Sequence, residues 1–353
     1  SSEDAWAVGD ATVGFTTEAR IYHFDRARAP GDQWAVSFTV PYGDLTDIFF
    51  VDEDHGWAVG DLDVIGAAVW RTTNGGVTWS QTLLPGTLNS TLNNVFFVSR
   101  TQGWASDDEG RVWRTVDGGV NWSSVQVHPG GGALTDVYFV NELVGWAVGL
   151  QGAIFRTADG GATWVSQFTD TTRTFRAVHF TDAAFGWAVG VRVTGVNNTV
   201  YKTTNGGSSW TNVSMADPNV FANDVVFTDP NTGFVVGGLS GGQAVVFTTV
   251  DGGETWGRQT LSGVTASQFF ALSVVSESTG VAGWVVGEGD DQVVAMTLDP
   301  YCSAVTNCAT DTECAYGDAC IATDIPYYHL NRSNSCASDC QRPGGFCGDG
   351  ILQ

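Results

Sequence analysis

The sequence predicts an all-β chain: a seven-bladed β-propeller of four-stranded antiparallel blades over residues 1–298, then a small disulfide-rich module over 299–353. Three observations carry this prediction. The stretch GWAVG stands whole at 56–60, 145–149 and 186–190, with variants at 5–9 (AWAVG), 103–106 (GWAS), 233–237 (GFVVG) and 283–287 (GWVVG). A Gly-Gly turn motif follows five of them: RTTNGGVTW (71–79), RTVDGGVNW (114–122), RTADGGATW (156–164), KTTNGGSSW (202–210) and TTVDGGETW (248–256). All seven Cys fall within 302–347, so the composition changes sharply near Pro300.

Successive units are 41 to 51 residues apart. Self-similarity at that period is the mark of a propeller or solenoid. Within a unit the first strand is of the type DIFFV (47–51), NVFFV (94–98), DVYFV (136–140), AVHFT (177–181) or DVVFT (224–228). GWAVG is the second strand, AVWRTT the third and TWSQT the fourth. These are short apolar runs bounded by Gly, Asn and Asp, which read as strands. Their short connections make an antiparallel meander, and a radial array of such sheets is a propeller. In GWAVG, strand alternation puts Trp57 and Val59 on one face and Ala58 and Gly60 on the other. The expected packing sets each Trp wedge (Trp57, Trp104, Trp146, Trp187, Trp284) into a glycine-and-alanine hollow of the next blade. In the turns, paired Gly permit positive φ. The Asn or Asp side chain (Asn74, Asp117, Asp159, Asn205, Asp251) accepts hydrogen bonds from the turn's own N–H groups. The Trp that follows (Trp79, Trp122, Trp164, Trp210, Trp256) pins the turn. Unit one lacks its innermost strand, the last unit lacks the Gly-Gly turn, and ring closure is expected to use one of the termini. The first residue, inside a repeat, reads as a processed or excised terminus.

The net charge is −23, with Lys202 the single lysine among 15 basic residues. So acidic a surface repels phosphate backbones and anionic lipid heads. Nucleic acid is therefore excluded as a partner, and no apolar run is long enough for a spanning helix.

The D-x-G-x-T-W turn resembles the Asp-box, or BNR repeat, of sialidases, sortilins and some glycoside hydrolases. The whole unit, GWAVG then RTTNGGVTW, is most similar to the seven-bladed photosystem II assembly and stability factors and their bacterial relatives, over roughly residues 1–298. In that superfamily the motif is architectural, so the resemblance implies fold more than function. The ending FCGDGILQ resembles the start of the Cys-rich CGDGI-type repeats of secreted myxobacterial and protist proteins, and is expected to continue beyond Gln353.

Catalysis is not expected. Sialidase chemistry needs three Arg on different blades with a Tyr–Glu pair and an acid, whereas Arg71, Arg114, Arg156 and Lys202 repeat one position and read as structural. Inverting glycoside hydrolysis needs two spaced carboxylates, but the resembling polysaccharide hydrolases use two propellers in tandem. Asp47, Asn94, Asp136 and Asp224 open the innermost strands and lie near one channel mouth. They read either as a partial ring that binds a cation or basic partner, or as side chains that tie interblade loops to backbone N–H groups. No metal ligand set or cofactor is expected. Ca²⁺ is the one ion weighed for the acidic tips 52–54, 107–109 and 288–291, and none has the spacing of a calcium loop.

Cys302, Cys308, Cys314 and Cys320 stand six apart, and Cys336 and Cys340 follow. This spacing does not suit zinc and reads as a disulfide framework of open connectivity in an oxidising, extracellular setting. Cys347 is left to pair outside the chain. Sequons at Asn89, Asn121, Asn197, Asn212 and Asn331 agree with a secreted glycoprotein. The resulting expectation is a non-catalytic extracellular or cell-surface module that binds a protein or glycan, or packs in a surface or filament assembly. Two alternatives stand beside it: an assembly factor that binds a membrane-protein partner, and a glycan hydrolase.

Overall fold

The computed structural model describes residues 4–13, 16–25, 34–63, 65–192, 199–213, 215, 217, 219–259, 266–277, 280–288, 293–298, 321–323, 346–347 and 351–352. Apart from a 3-10 turn at Leu150–Gly152, the regular elements are strands. Blade I holds β1 (Asp4–Val13), β2 (Thr16–Asp25) and β3 (Trp34–Pro41). Blade II holds β4 (Leu45–Phe50), β5 (Gly56–Leu62), β6 (Gly66–Thr72) and β7 (Ser80–Leu83). Blade III is β8 (Leu92–Phe97), β9 (Gly103–Asp107), β10 (Arg111–Thr115) and β11 (Ser123–Gln126). Blade IV is β12 (Leu134–Phe139), β13 (Gly145–Gly149), β14 (Ile154–Thr157) and β15 (Val165–Phe168). Blade V is β16 (Arg173–Phe180), β17 (Gly186–Arg192), β18 (Thr199–Thr203) and β19 (Thr211–Asn212). Blade VI is β20 (Val220–Phe227), β21 (Gly233–Leu239), β22 (Gln243–Thr249) and β23 (Gly257–Arg258). Blade VII is β24 (Gln268–Glu277), β25 (Gly280–Glu288) and β26 (Val293–Leu298), with β27 (Ile321–Thr323) paired on its outer side.

Each blade is an antiparallel meander in chain order, and among the described residues blade I starts at the GWAVG-type strand β1. Neighbouring inner strands β4, β8, β12, β16, β20 and β24 touch in sequence around the axis. The ring closes where Trp284 of blade VII meets Phe24 and Trp34 of blade I, at 4.5 and 5.8 Å between ring centroids.

The interblade lock differs from the expected hollow. Trp57 stacks on Phe97 of the next blade at 3.5 Å and 9°, and Trp104 on Phe139, Trp146 on Phe180 and Trp187 on Phe227 repeat this at 3.6, 3.4 and 3.4 Å. The small residue sits on the Phe's other side, in the Phe's own blade. A Cβ on Gly103, Gly145, Gly186 or Gly233 would come within 2.3–2.5 Å of the Phe97, Phe139, Phe180 or Phe227 ring. Trp122, Trp164, Trp210 and Trp256 meet the same Phe edge-on at about 6 Å. Each junction is thus a sandwich of indole, phenyl and bare glycine backbone, and Trp57, Trp104, Trp146 and Trp187 are all 0% exposed.

The indole N–H completes the lock. Trp57, Trp104, Trp146 and Trp187 Nε1 donate to the carbonyls of Gly118, Gly160, Gly206 and Gly252 at 2.8–3.1 Å. Those carbonyls lie in the next blade's Gly-Gly turn. Blade VI carries Phe234 at this position and faces blade VII, whose sequence has no such turn.

In the turns, the hydroxyl of Thr72, Thr115, Thr157, Thr203 or Thr249 donates to the Asn or Asp Oδ1 at 2.7–3.0 Å. It also accepts the N–H of the second Gly at 2.9 Å. Oδ1 in turn accepts the N–H four residues on. Both turn glycines, such as Gly75 (φ 63°) and Gly76 (φ 73°), occupy the left-handed region, where a side chain is strained.

The six Cys from Cys302 to Cys340 lie outside the described residues, as do Asn197 and Asn331. Cys347 lies in a short ladder between Phe346–Cys347 and Ile351–Leu352.

Candidate functional site

Two places gather the polar residues singled out in the sequence: the channel and the outer rim. The six inner strands share a bulge, between Leu45 and Asp47, Leu92 and Asn94, Leu134 and Asp136, Phe175 and Ala177, Ala222 and Asp224, and Phe269 and Ala271. The bulge turns two consecutive side chains toward the neighbouring blade. Thr46 and Thr135 hydroxyls donate to Leu92 and Phe175 carbonyls at 2.6 and 2.8 Å, and Asn93 and Asn223 carboxamides to Leu134 and Phe269 carbonyls at 2.8 and 2.5 Å. Arg176 breaks this row and reaches the Asn223 carboxamide oxygen instead.

One residue along, Asp47 Oδ2 accepts the Val95 N–H (2.8 Å) and the Asn94 carboxamide (3.0 Å). Asn94 Oδ1 accepts the Val137 N–H at 3.2 Å, and Asp136 and Asp224 accept those of Val178 and Leu272, each at 2.7 Å. The column therefore ties inner strand to inner strand, and the interblade loops play no part in it. At Ala177 the tie passes to His179, whose Nδ1 accepts the Phe227 N–H at 3.4 Å. That leaves the imidazole proton on Nε2, which faces the Tyr138 hydroxyl at 3.4 Å.

Burial in the channel, with help from the Asp224 charge, pushes the Asp47 and Asp136 carboxyls up to about 7 and about 8. Burial pushes Asp224 up to about 6 and His179 down to about 4. All three carboxyls have an oxygen committed to a backbone amide of the next inner strand, an arrangement suited to joining blades.

The acidic tips are likewise occupied. Asp52, Asp54 and His55 could bring ligand atoms within 4.8 Å of one another. Yet Asp52 accepts the N–H groups of Asp54 and His55 at 3.0 Å, the His55 ring at 2.8 Å and the Arg100 guanidinium at 2.6 Å. Ser99, Asn141, Asp182 and Asp229 cap the equivalent turns in the following blades. Asp107, fully buried, is held by Arg111 at 2.7 Å and the Trp113 indole at 2.9 Å. Residues 289–291 lie outside the described ones.

On the rim, Arg71, Arg114, Arg156 and Lys202 each lie against the Gly-Gly turn of the next blade. A Cβ on Gly118, Gly160, Gly206 or Gly252 would stand 3.3–3.9 Å from the respective cation. Lys202 pairs with Glu254 at 2.8 Å, while no ion pair joins the three Arg to a described carboxylate. Exposed apolar side chains flank the arc: Val77 (79% exposed), Val116, Val120, Leu143 and Val165. Arg156, Asp159, Thr163, Val165 and Gln167 line a hollow of about 260 Å³ on this edge. Sequence reading treated the cations only as repeated decoration. The signal for more was their alignment with valines inside a strongly acidic chain.

Among the sequons, Asn89, Asn121 and Asn212 are exposed. The Asn121 carboxamide is tied to Asp117 at 2.8 Å, inside the turn.

The family model described as photosynthesis system II assembly factor YCF48 matches residues 29–131, 129–219 and 216–299. The solved structure titled YCF48 bound to D1 peptide is 20% identical, with 70% of this chain and 91% of that one covered and a TM-score of 0.41. YCF48 from Cyanidioschyzon merolae is 22% identical, with 70% and 93% covered and a TM-score of 0.45. A GH74 enzyme from Niastella koreensis is 14% identical, with 82% of this chain and 57% of that one covered and a TM-score of 0.55. No match was found among curated proteins.

Proposed function

We propose, on the premise that the chain belongs to the YCF48 family of photosystem II assembly factors, that it is a non-catalytic docking disc for a protein partner. This favours the assembly-factor alternative over the extracellular module that the tail and sequons pointed to. In this reading the partner is a membrane protein under assembly, and its docked segment is extended, anionic and partly apolar. The observation that carries the reading is the rim arc. Arg71, Arg114 and Arg156 lack ion-pair partners among described residues and are interleaved with exposed valines, in a chain of net charge −23. An acidic body with one basic arc steers an anionic segment to that arc. Channel carboxyls committed to backbone amides support the non-catalytic half. The Cys-rich tail motivates placing the protein in an oxidising compartment, which intact mass with and without reductant tests.

The main test is fluorescence anisotropy with labelled peptides that combine valine or leucine with acidic residues. Arg71→Gln, Arg114→Gln and Arg156→Gln together should weaken binding about 10- to 100-fold, from roughly 0.5–1 kcal/mol per exposed charge contact. Added salt should weaken it as well. Affinity unchanged in the triple variant removes the arc from the reading. Release of reducing ends from a β-glucan by the purified chain removes the non-catalytic half.

A further inference from the structure

The Gly-Gly turns and the rim cations lie at one end of the strands. The opposite end carries the hairpins between second and third strands and the links between blades, and on blade II it has a character of its own. Tyr42 in the link into the blade, Ile65 in its hairpin and Leu88 in the link out of it are 67%, 58% and 70% exposed. The repeat does not call for them. In blade III the hairpin reads Asp108-Glu109-Gly110 and the link out Pro129-Gly130-Gly131, with no large apolar side chain. The loops of blade II are held firmly. Gly43 and Gly66 are buried, and a Cβ on them would stand 2.4 Å from the Asp61 carbonyl and 2.2 Å from the Thr87 carbonyl. Asp61 joins the two links: its N–H donates to the Asp44 carbonyl at 3.1 Å, and its carboxylate accepts the Thr91 hydroxyl at 2.5 Å. The Thr87 hydroxyl accepts the Ala67 N–H at 3.1 Å and donates to the Leu84 carbonyl at 2.7 Å. Tyr42 (φ 57°), Asp63 (φ 39°) and Asn89 (φ 57°) are held in the left-handed region, which a non-glycine residue keeps only where its surroundings fix it. Pinned backbone thus presents the three apolar side chains, so docking on them has little left to order.

The same loops are acidic. Asp44 and Asp63 are exposed and Asp61 is half-buried. Burial first, then the charges of Asp61 and Asp63, raises the Asp44 carboxyl above its ordinary value. Arg20 and Arg111, the cations of blades I and III that reach this end, are already paired, with Glu18 at 3.5 Å and with Asp107 and Glu109 at 2.7 and 2.8 Å. We propose that this end of blade II is a second docking site, for a basic segment of a partner protein whose lysines or arginines alternate with aliphatic side chains. A cation relieves carboxylates that repel one another, and the Tyr42 ring offers a cation its face as well. Ile65 and Leu88 take the aliphatic side chains, while anionic lipid is repelled. The site does not depend on the rim arc. The two lie at opposite ends of the strands, so one disc can hold an anionic and a cationic segment at once.

The test is fluorescence anisotropy of the full chain with labelled Lys-Leu-Lys-Val-Arg-Leu-Lys, and with Lys-Gly-Lys-Gly-Arg-Gly-Lys, which has the same charge. Saturable binding of the first is expected, with the second about tenfold weaker. Ile65→Ser with Leu88→Ser should weaken the first by about tenfold. Asp44→Asn with Asp63→Asn should weaken it by about three- to tenfold. These exposed positions should leave the melting temperature unchanged. Arg71→Gln, Arg114→Gln and Arg156→Gln together should not weaken it, which separates this site from the arc. Equal affinity for the two peptides, or affinity that survives Ile65→Ser with Leu88→Ser, reduces the binding to net charge and overturns the proposal. Light scattering that shows self-association lost in the same variants overturns the choice of occupant in favour of a second copy. Phosphatidylserine vesicles that hold the parent chain and release those variants overturn it in favour of a membrane.

Discussion

Trp104→Phe isolates the hydrogen-bonded half of the interblade lock. The substitution keeps a ring over Phe139, where the indole now lies at 3.6 Å and 8°, and removes the donor that reaches Gly160 at 2.9 Å. Trp104 is fully buried, so the Gly160 carbonyl loses its partner where water does not replace it. An orphaned buried acceptor costs about 1–3 kcal/mol, and the shrinkage from indole to phenyl adds to that. Stacking, worth about 0.5–1.5 kcal/mol, is largely kept. The expected loss is therefore about 2–3 kcal/mol, against about 3–5 kcal/mol for Trp104→Ala, which loses the ring as well. Urea unfolding followed by far-ultraviolet dichroism measures both, the midpoint falling at constant slope. Blade VI supplies the control. Phe234 faces a blade without the Gly-Gly turn, so Phe234→Trp gains no acceptor and should cost about 1–3 kcal/mol by overpacking. Trp104→Phe within about 0.5 kcal/mol of the parent, the range of ordinary surface changes, would refute the indole–carbonyl bond as part of the lock.

Gly145→Ala drives a methyl into the Phe139 ring, to which a Cβ there would come within 2.5 Å, and should destabilise by about 1–3 kcal/mol in the same unfolding assay. Thr157→Val removes the hydroxyl that accepts the Gly161 N–H and donates to Asp159. It should cost about 1–3 kcal/mol and raise the Asp159 titration only in part, read by NMR, because the Thr163 hydroxyl and amide chiefly hold it at about 2. Asp47, Asp136 and Asp224 have folded-state values raised to about 7, 8 and 6, above the unfolded value. The folded protein therefore binds more protons in that window, and stability is lost as pH rises through about 6 to 8. Melting temperature should fall between pH 5 and pH 8.5, and Asp136→Asn, which keeps an acceptor for Val178, should flatten the fall.

Seven units and the four-strand meander were legible because each rests on periodicity. The partner of the Trp wedge was not, although a signal for it stood in the text. In the inner strands the residue before the last aromatic varies through Phe49, Phe96, Tyr138, His179 and Val226, while Phe50, Phe97, Phe139, Phe180 and Phe227 are constant, each six residues before the Gly of the next strand. The varying residue lines the channel, where Phe49, Phe96, Tyr138 and His179 follow one another at 4.7–5.1 Å; the constant one is clamped between two blades. Alternation alone says which side chains share a face and leaves open which blade covers them, so Gly was assigned to the wrong partner. The same limit applied to the turns. Constant Thr72, Thr115, Thr157, Thr203 and Thr249 stood two residues before each Asn or Asp, yet their bonds to the second Gly depend on how the turn closes.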